Sequence, residues 1–363
     1  VDFTISRYKD AKMVVELLDN KKMWDRFVDA SPQGFLFHKW DFLKTVERHS
    51  RYRFVPYGIY SGEELRCIFP FFVGRRRVMT HMLSPPRGTQ IWYLGPAFDP
   101  SIQALKASAK EKIFEQVTDE LCREIDKIAP NFVGFVTVPN FLDVRSFIWK
   151  DFTAHIGFTY AIDLERPLDE IWASFSRRCR QKIKRTHAHS PEIQQTDDVR
   201  PLLDIWRPRF SELGIEVPLL SDSYLKELVK TFPQEITVYN LSVDGSLATA
   251  TACCAMQKER YCIWIGGVSV RRDLDVNEFL DWEVIQRAKS AGFKKLDLCE
   301  PGPSRYKSKF NPVLEPFCYV SRIDALAKIA SVAYPRLAGS MLRVKRILHR
   351  RATHEPAVPK GKL

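Results

Sequence analysis

The 363-residue chain has no run of about 18 uninterrupted apolar residues, which excludes a spanning helix of the usual hydropathic kind. It opens at Val1 without an apolar leader-like segment, so a cytoplasmic protein is expected. None of its eight cysteines forms a Cys-x-x-Cys pair. The one close set, Cys253, Cys254 and Cys262, has no histidine nearby, so no metal site is expected and the thiols read as buried and reduced. Gly-x-x-x-x-Gly-Lys-Ser/Thr, Gly-x-Gly-x-x-Gly, Gly-x-Ser-x-Gly and His-Glu-x-x-His are all absent. P-loop and dinucleotide enzymes, elbow-type hydrolases and zincins are thereby disfavoured, and no bound cofactor is expected.

What the chain does contain is one pattern written twice. Phe54 to Tyr60, the turn Ser61-Gly62-Glu63-Glu64, Leu65 to Val73, the basic turn Gly74-Arg75-Arg76-Arg77 and Val78 to Leu83 read as three consecutive strands. Ile236 to Val243, Asp244-Gly245-Ser246, Leu247 to Met256, Gln257-Lys258-Glu259-Arg260 and Tyr261 to Val268 repeat them, with Asp-Gly as a strong hairpin signal. An amphipathic helix follows each set, carried by Ile113, Val117, Leu121 and Ile125 in the first copy and by Phe279, Trp282, Ile285 and Ala288 in the second. Each helix leads to an apolar strand, Phe132 to Val138 and Phe293 to Leu298. Two copies of one α/β unit are expected, although they share almost no residue identity.

A formal charge of +12 and a pI near 9.3 point to an anionic partner. The excess is concentrated in Ser176 to Arg185, where Arg177, Arg178, Arg180, Lys182, Lys184 and Arg185 occur without an acid above an apolar stripe of Trp172, Phe175, Cys179 and Ile183. A helix with a cationic face is expected. Its mutual repulsion, about 0.2 to 0.5 kcal/mol per unfavourable pair, would be relieved by phosphates, against the competing reading of a solvated helix face. A second basic amphipathic stretch carries Leu326, Ile329, Ala333, Leu337, Met341, Val344 and Leu348, with Pro335 dividing it into two helices. It suits either a closing helix on the body or a peripheral contact with anionic membrane.

One loop looks selected for chemistry. Asp297-Leu298-Cys299-Glu300 ends a strand and runs through Pro301-Gly302-Pro303 to Ser304-Arg305-Tyr306-Lys307-Ser308-Lys309-Phe310. Loops beyond the carboxyl ends of strands are where α/β sheets place their sites. Lys307 beside Tyr306 could offer an ammonium to an oxyanion, the competing reading being an ordinary loop lysine.

These features together resemble the Fem-type transferases of the Gcn5-related N-acetyltransferase (GNAT) superfamily, over roughly residues 20 to 322. The closest matches are Trp172-x-x-Phe175 leading to Arg177-Arg178-x-Arg180-x-x-Ile183, Leu280-x-Trp282-Glu283 and Tyr306-Lys307-x-Lys309-Phe310. The resemblance implies tandem duplicated GNAT-like domains with mixed sheets, over residues 1–165 and 166–322; the sequence beyond them reads as basic amphipathic helices over 323–351 and a disordered tail over 352–363. It implies an acyltransferase in which Lys307 stabilises the tetrahedral intermediate, with Tyr306 beside it where many members carry phenylalanine. Arg180 is implied near the phosphates of a precursor, with Lys44, on a helix from Phe37 to Lys44, a weaker candidate for that role. Arg177, Arg178, Lys184 and Lys309 complete the expected phosphate-binding set.

The implied reaction moves an amino acid from aminoacyl-tRNA to an amine of a phosphorylated cell-wall or lipid-linked precursor, building a peptide bridge. The expected place of work is the cytoplasm or the inner face of the membrane. Val268 to Asn277, the turn where an acyl-CoA enzyme would cradle pyrophosphate, has no glycine and contains Asp273 and Asp275, which favours a donor carried on polynucleotide. Two other readings stay open: an acyl-CoA or acyl-carrier enzyme acting on an amino sugar or surface polysaccharide, and a non-catalytic RNA- or lipid-surface-binding protein.

Overall fold

The computed structural model describes residues 12–76, 78–212, 219–271, 273–299, 305–325 and 328. The tail and nearly all of the basic C-terminal stretch lie outside these residues, as does the loop over 300–304.

The first unit runs β1 (Met13–Leu17), α1 (Lys21–Ala30), α2 (Trp40–His49), β2 (Arg53–Ser61), β3 (Glu64–Arg76), β4 (Met79–Ser84), the short β5 (Ala97–Phe98), α3 (Ala107–Ile128) and β6 (Phe132–Val136). After α4 (Arg145–Ile148) comes β7 (Thr153–Asp163). The second unit runs α5 (Leu168–Ser174), α6 (Arg177–His187), β8 (Glu192–Thr196), α7 (Arg200–Glu212), α8 (Asp222–Thr231), β9 (Ile236–Val243), β10 (Ser246–Gln257), β11 (Arg260–Ile265), α9 (Val276–Ser290) and β12 (Lys295–Asp297), then β13 (Val313–Ile323). Both copies of the repeated pattern are present, each as three antiparallel strands, a helix and a strand that returns parallel to the third. Asp244 and Gly245 turn the β9–β10 hairpin with φ of 53° and 72°, a left-handed pair that Asp-Gly accommodates.

All the strands except β5, which pairs with β3, join in the order β1-β2-β3-β4-β6-β13-β7-β12-β11-β10-β9-β8. The centre of this order holds an exchange. β7, which follows the first unit in sequence, pairs with β12 of the second, while β13, the last strand among the described residues, pairs with β6 of the first. β7 and β13 then pair with each other, Val313 opposite Ala161 through Ser321 opposite Thr153.

Alternation along the strands divides the core between the two sheet faces. Ile68 and Phe72 of β3, and Cys262 and Trp264 of β11, join one cluster with Trp24 of α1, Phe42 of α2, Trp206 of α7 and Leu225 of α8. The opposite face carries separate cores under α3 and α9: Phe69 and Phe71 pack with Val117 and Leu121, and Tyr261 and Ile263 pack with Phe279 and Ile285. One core therefore lies against helices of both units, while the other two sit under α3 and α9 and take in the exchanged strands, Cys318 and Val320 of β13 in the first and Ile162 of β7 in the second. All eight cysteines are buried and unpaired.

Two helices differ from expectation. The helix expected over Phe37 to Lys44 is a 3-10 turn, Leu36–His38, followed by α2 after extended backbone at Lys39. The cationic stretch is broken from the helix before it by extended backbone at Phe175, and Ser176 begins α6 by accepting a hydrogen bond from the Cys179 N–H at 3.2 Å.

Candidate acyl-transfer site

Three stretches distant in sequence meet in one aromatic cluster. Trp172 and Phe175, before α6, lie 5.0 and 5.3 Å from Trp282 of α9, ring centre to ring centre. Phe175 also meets Phe310 edge-on at 5.2 Å, and Phe310 meets Tyr306 at 5.9 Å. This packing fixes the turn Lys307–Phe310 against α6 and α9, helped by the Ser176 N–H, which donates to the Lys309 carbonyl at 2.9 Å.

Charge is arranged around the cluster. The Lys309 ammonium donates to Glu278 Oε1 at 2.6 Å and sits 4.0 Å from the centre of the Tyr306 ring. Lys182 donates to the same oxygen at 2.9 Å and to Asp275 at 2.6 Å, and Arg185 also pairs with Asp275. The Tyr306 hydroxyl donates to Asp281 Oδ2 at 2.8 Å. Burial pushes the Asp281 carboxyl up to about 7, against the Tyr306 hydrogen bond and the charges of Lys307 and Lys309, which pull the other way. Lys307 itself is half-buried on the turn, near enough to Asp281 and Cys299 for its charge to act on both.

The expectation that the cationic helix lacks compensating acids is corrected here. Asp275 and Glu278, at the start of α9, neutralise Lys182 and Arg185. The pairing was invisible in the helix's own sequence because Glu278 lies 96 positions from Lys182. The self-repulsion that would have called for phosphates is therefore partly relieved within the chain. Arg177, Arg178 and Lys184 remain exposed, without a carboxylate partner among the described residues. Arg180 donates to the carbonyls of Ala173, at 2.6 Å, and Phe175, closing the end of α5.

The structure thus brings Tyr306, Lys307 and Lys309 together with α6, while Lys44 belongs elsewhere. Lys44 lies on α2, paired with Glu47, whose other oxygen accepts from the Phe54 N–H at 2.8 Å. The carboxylates Glu278 and Asp281 were not singled out from the sequence. Their signal was present, since both occupy buried positions on α9, at 4% and 7% exposure, where an amphipathic helix should carry apolar residues.

Residues 173–308 match the family model described as an acetyltransferase (GNAT) domain. The tandem fold is similar to that of FemX, with a TM-score of 0.63 at 10% identity, covering 86% of this chain and 98% of that one. It is also similar to L-PGS from Bacillus licheniformis, with a TM-score of 0.56 at 11% identity over 88% and 96% of the two chains. The C-terminal domain of a putative lysylphosphatidylglycerol synthetase from Agrobacterium fabrum gives 0.54 at 14% identity over 80% and 90%. No curated protein matches the sequence. The chain carries a GNAT acyltransferase domain within a FemX-like tandem fold.

Proposed function

We propose, with this acyltransferase domain as the premise, that the protein forms an amide bond by moving an amino acid from aminoacyl-tRNA to an amine of a phosphorylated cell-wall or lipid-linked precursor. One observation carries the choice of donor. Asp275 and the buried Glu278 stand at the start of α9, the place where an acyl-CoA pyrophosphate would need backbone N–H groups and no carboxylates. The lysylphosphatidylglycerol synthetase among the structural neighbours is named for a lysyl product, which agrees with an aminoacyl donor, as does the resemblance to the Fem-type transferases.

Attack by the neutral amine on the ester carbonyl places negative charge on the carbonyl oxygen, and the Lys307 ammonium is the donor assigned to it. Collapse expels the ribose oxygen, which takes the proton the amine gives up. The exposed Arg177 and Arg178 receive phosphates of the RNA or of the acceptor.

The test offers purified protein a panel of radiolabelled aminoacyl-tRNAs with phosphorylated precursor amines, and in parallel acyl-CoA with the same amines. The expected result is labelled amide from the tRNA arm. Free thiol released from acyl-CoA with an amide product overturns the donor assignment in favour of the second reading, which the acetyltransferase description of the family model supports.

A further expected result concerns binding alone. Arg177→Ala with Arg178→Ala weakens tRNA binding and makes the slope of log affinity against log salt shallower by about one to two. Titrations from low to physiological salt with an unchanged slope would remove both arginines from the RNA-binding face.

A further inference from the structure

Asp281 is unusual for a buried carboxyl because, among the described residues, its direct partner is the Tyr306 hydroxyl and not a cation. Lys182 and Lys309 are engaged by Glu278, and Lys182 also by Asp275, which leaves Tyr306 as the hydrogen-bond donor that Asp281 receives, at 2.8 Å. Buried carboxylates need such donors or they give up their charge. Tyr306 immediately precedes Lys307, and both lie on the short turn clamped by Phe310 and by the Lys309 carbonyl. Any change in how Tyr306 is held therefore acts one residue from the lysine assigned to the oxyanion.

We propose that Asp281 is a positioning residue for Lys307: ionised, it holds the Tyr306 hydroxyl and so fixes the turn that carries Lys307, and protonated, it loosens that hold. The inference rests on the transfer reading for its consequence in catalysis, but the coupling itself does not need substrate. Among the described residues, the groups around Asp281 are Tyr306, Lys307 and Lys309 on the turn, Glu278 on its own helix, Cys179 on α6 and Cys253 on β10. Glu278 is engaged by two lysines, and burial raises both thiols, so neither cysteine contributes an anion near neutral pH. Burial brings the Asp281 carboxyl to about 7, so it changes charge across neutrality.

The experiment follows the side-chain carbon next to the Lys307 ammonium by NMR in the full chain carrying carbon-labelled lysine, between pH 5.5 and 8.5, with Lys307→Arg giving the assignment. The expected resonance moves with a midpoint near 7 and becomes flat in Asp281→Asn. In Tyr306→Phe the midpoint rises by about half a unit or more, because the lost hydrogen bond favoured the ionised carboxyl. A flat Lys307 signal in the unmodified protein, or a midpoint that survives Asp281→Asn, overturns the proposal. Should Asp281→Asn fail to fold, an unchanged midpoint in the nearly isosteric Tyr306→Phe overturns it alone.

In the transfer assay the rate is expected to rise with pH through the same midpoint, and Asp281→Asn to lose that limb. Absence of product from every donor and acceptor would count against the transfer reading and leave the NMR result standing.

Discussion

Replacing Lys307 by alanine is expected to lower the rate of transfer by about a hundredfold, roughly 2.7 kcal/mol in transition-state stabilisation. A positively charged donor meets the carbonyl oxygen only as that atom acquires charge, so the loss falls mainly on kcat. Lys307→Arg keeps the charge but moves its donors, and an intermediate rate is expected. Lys307 is half-buried on a short turn, so alanine is expected to shift the unfolding midpoint far less than it lowers the rate. Steady-state kinetics beside thermal unfolding make the comparison. A loss smaller than tenfold, or one matched by a fall in folded protein, removes Lys307 from the oxyanion role.

The largest expected loss of stability lies at the seam between the units. Arg260 of β11 donates to Asp297 of β12 at 2.8 Å and to Glu315 of β13, while Thr159 of β7 donates to the second oxygen of Asp297 at 2.5 Å. These residues form one polar row across four neighbouring strands. Asp297 is fully buried, and Arg260 and Glu315 are 6% and 8% exposed, so removal of the guanidinium strands a carboxylate in the interior. Arg260→Met is therefore expected to cost about 3 to 5 kcal/mol, read from urea unfolding. Adding Asp297→Asn should recover part of it by removing the stranded charge. A loss below about 1 kcal/mol for the single variant would show that water or relaxation serves the carboxyl without Arg260.

Local pattern carried much of this fold. The Asp244-Gly245 turn, the alternating strands and the helix stripes of Ile113 to Ile125 and Phe279 to Ala288 depend on neighbours within a few residues, and all appear in the structure. The exchange of β7 and β13 depends on partners far away. The Cys318 N–H, for instance, donates to Thr137 Oγ1 from 181 positions along the chain. Neither strand advertises its place, because β7 mixes exposed Ile156 and Phe158 with buried Thr159.

The candidate site divides in the same way. Tyr306, Lys307 and Lys309 stand together in the sequence and on one turn in the fold. The acids that balance the cationic helix become apparent only when α6 packs on α9, and the same packing gives Asp281 its Tyr306 partner.

The exchanged strands also govern how the molecule can be made. During synthesis the first unit emerges before β13, the strand that pairs with β6, has been made. Unpaired edges of this kind invite association with other chains until the pairing strand arrives. A message cut short before β13 leaves β6 and β7 without the strand that pairs with both.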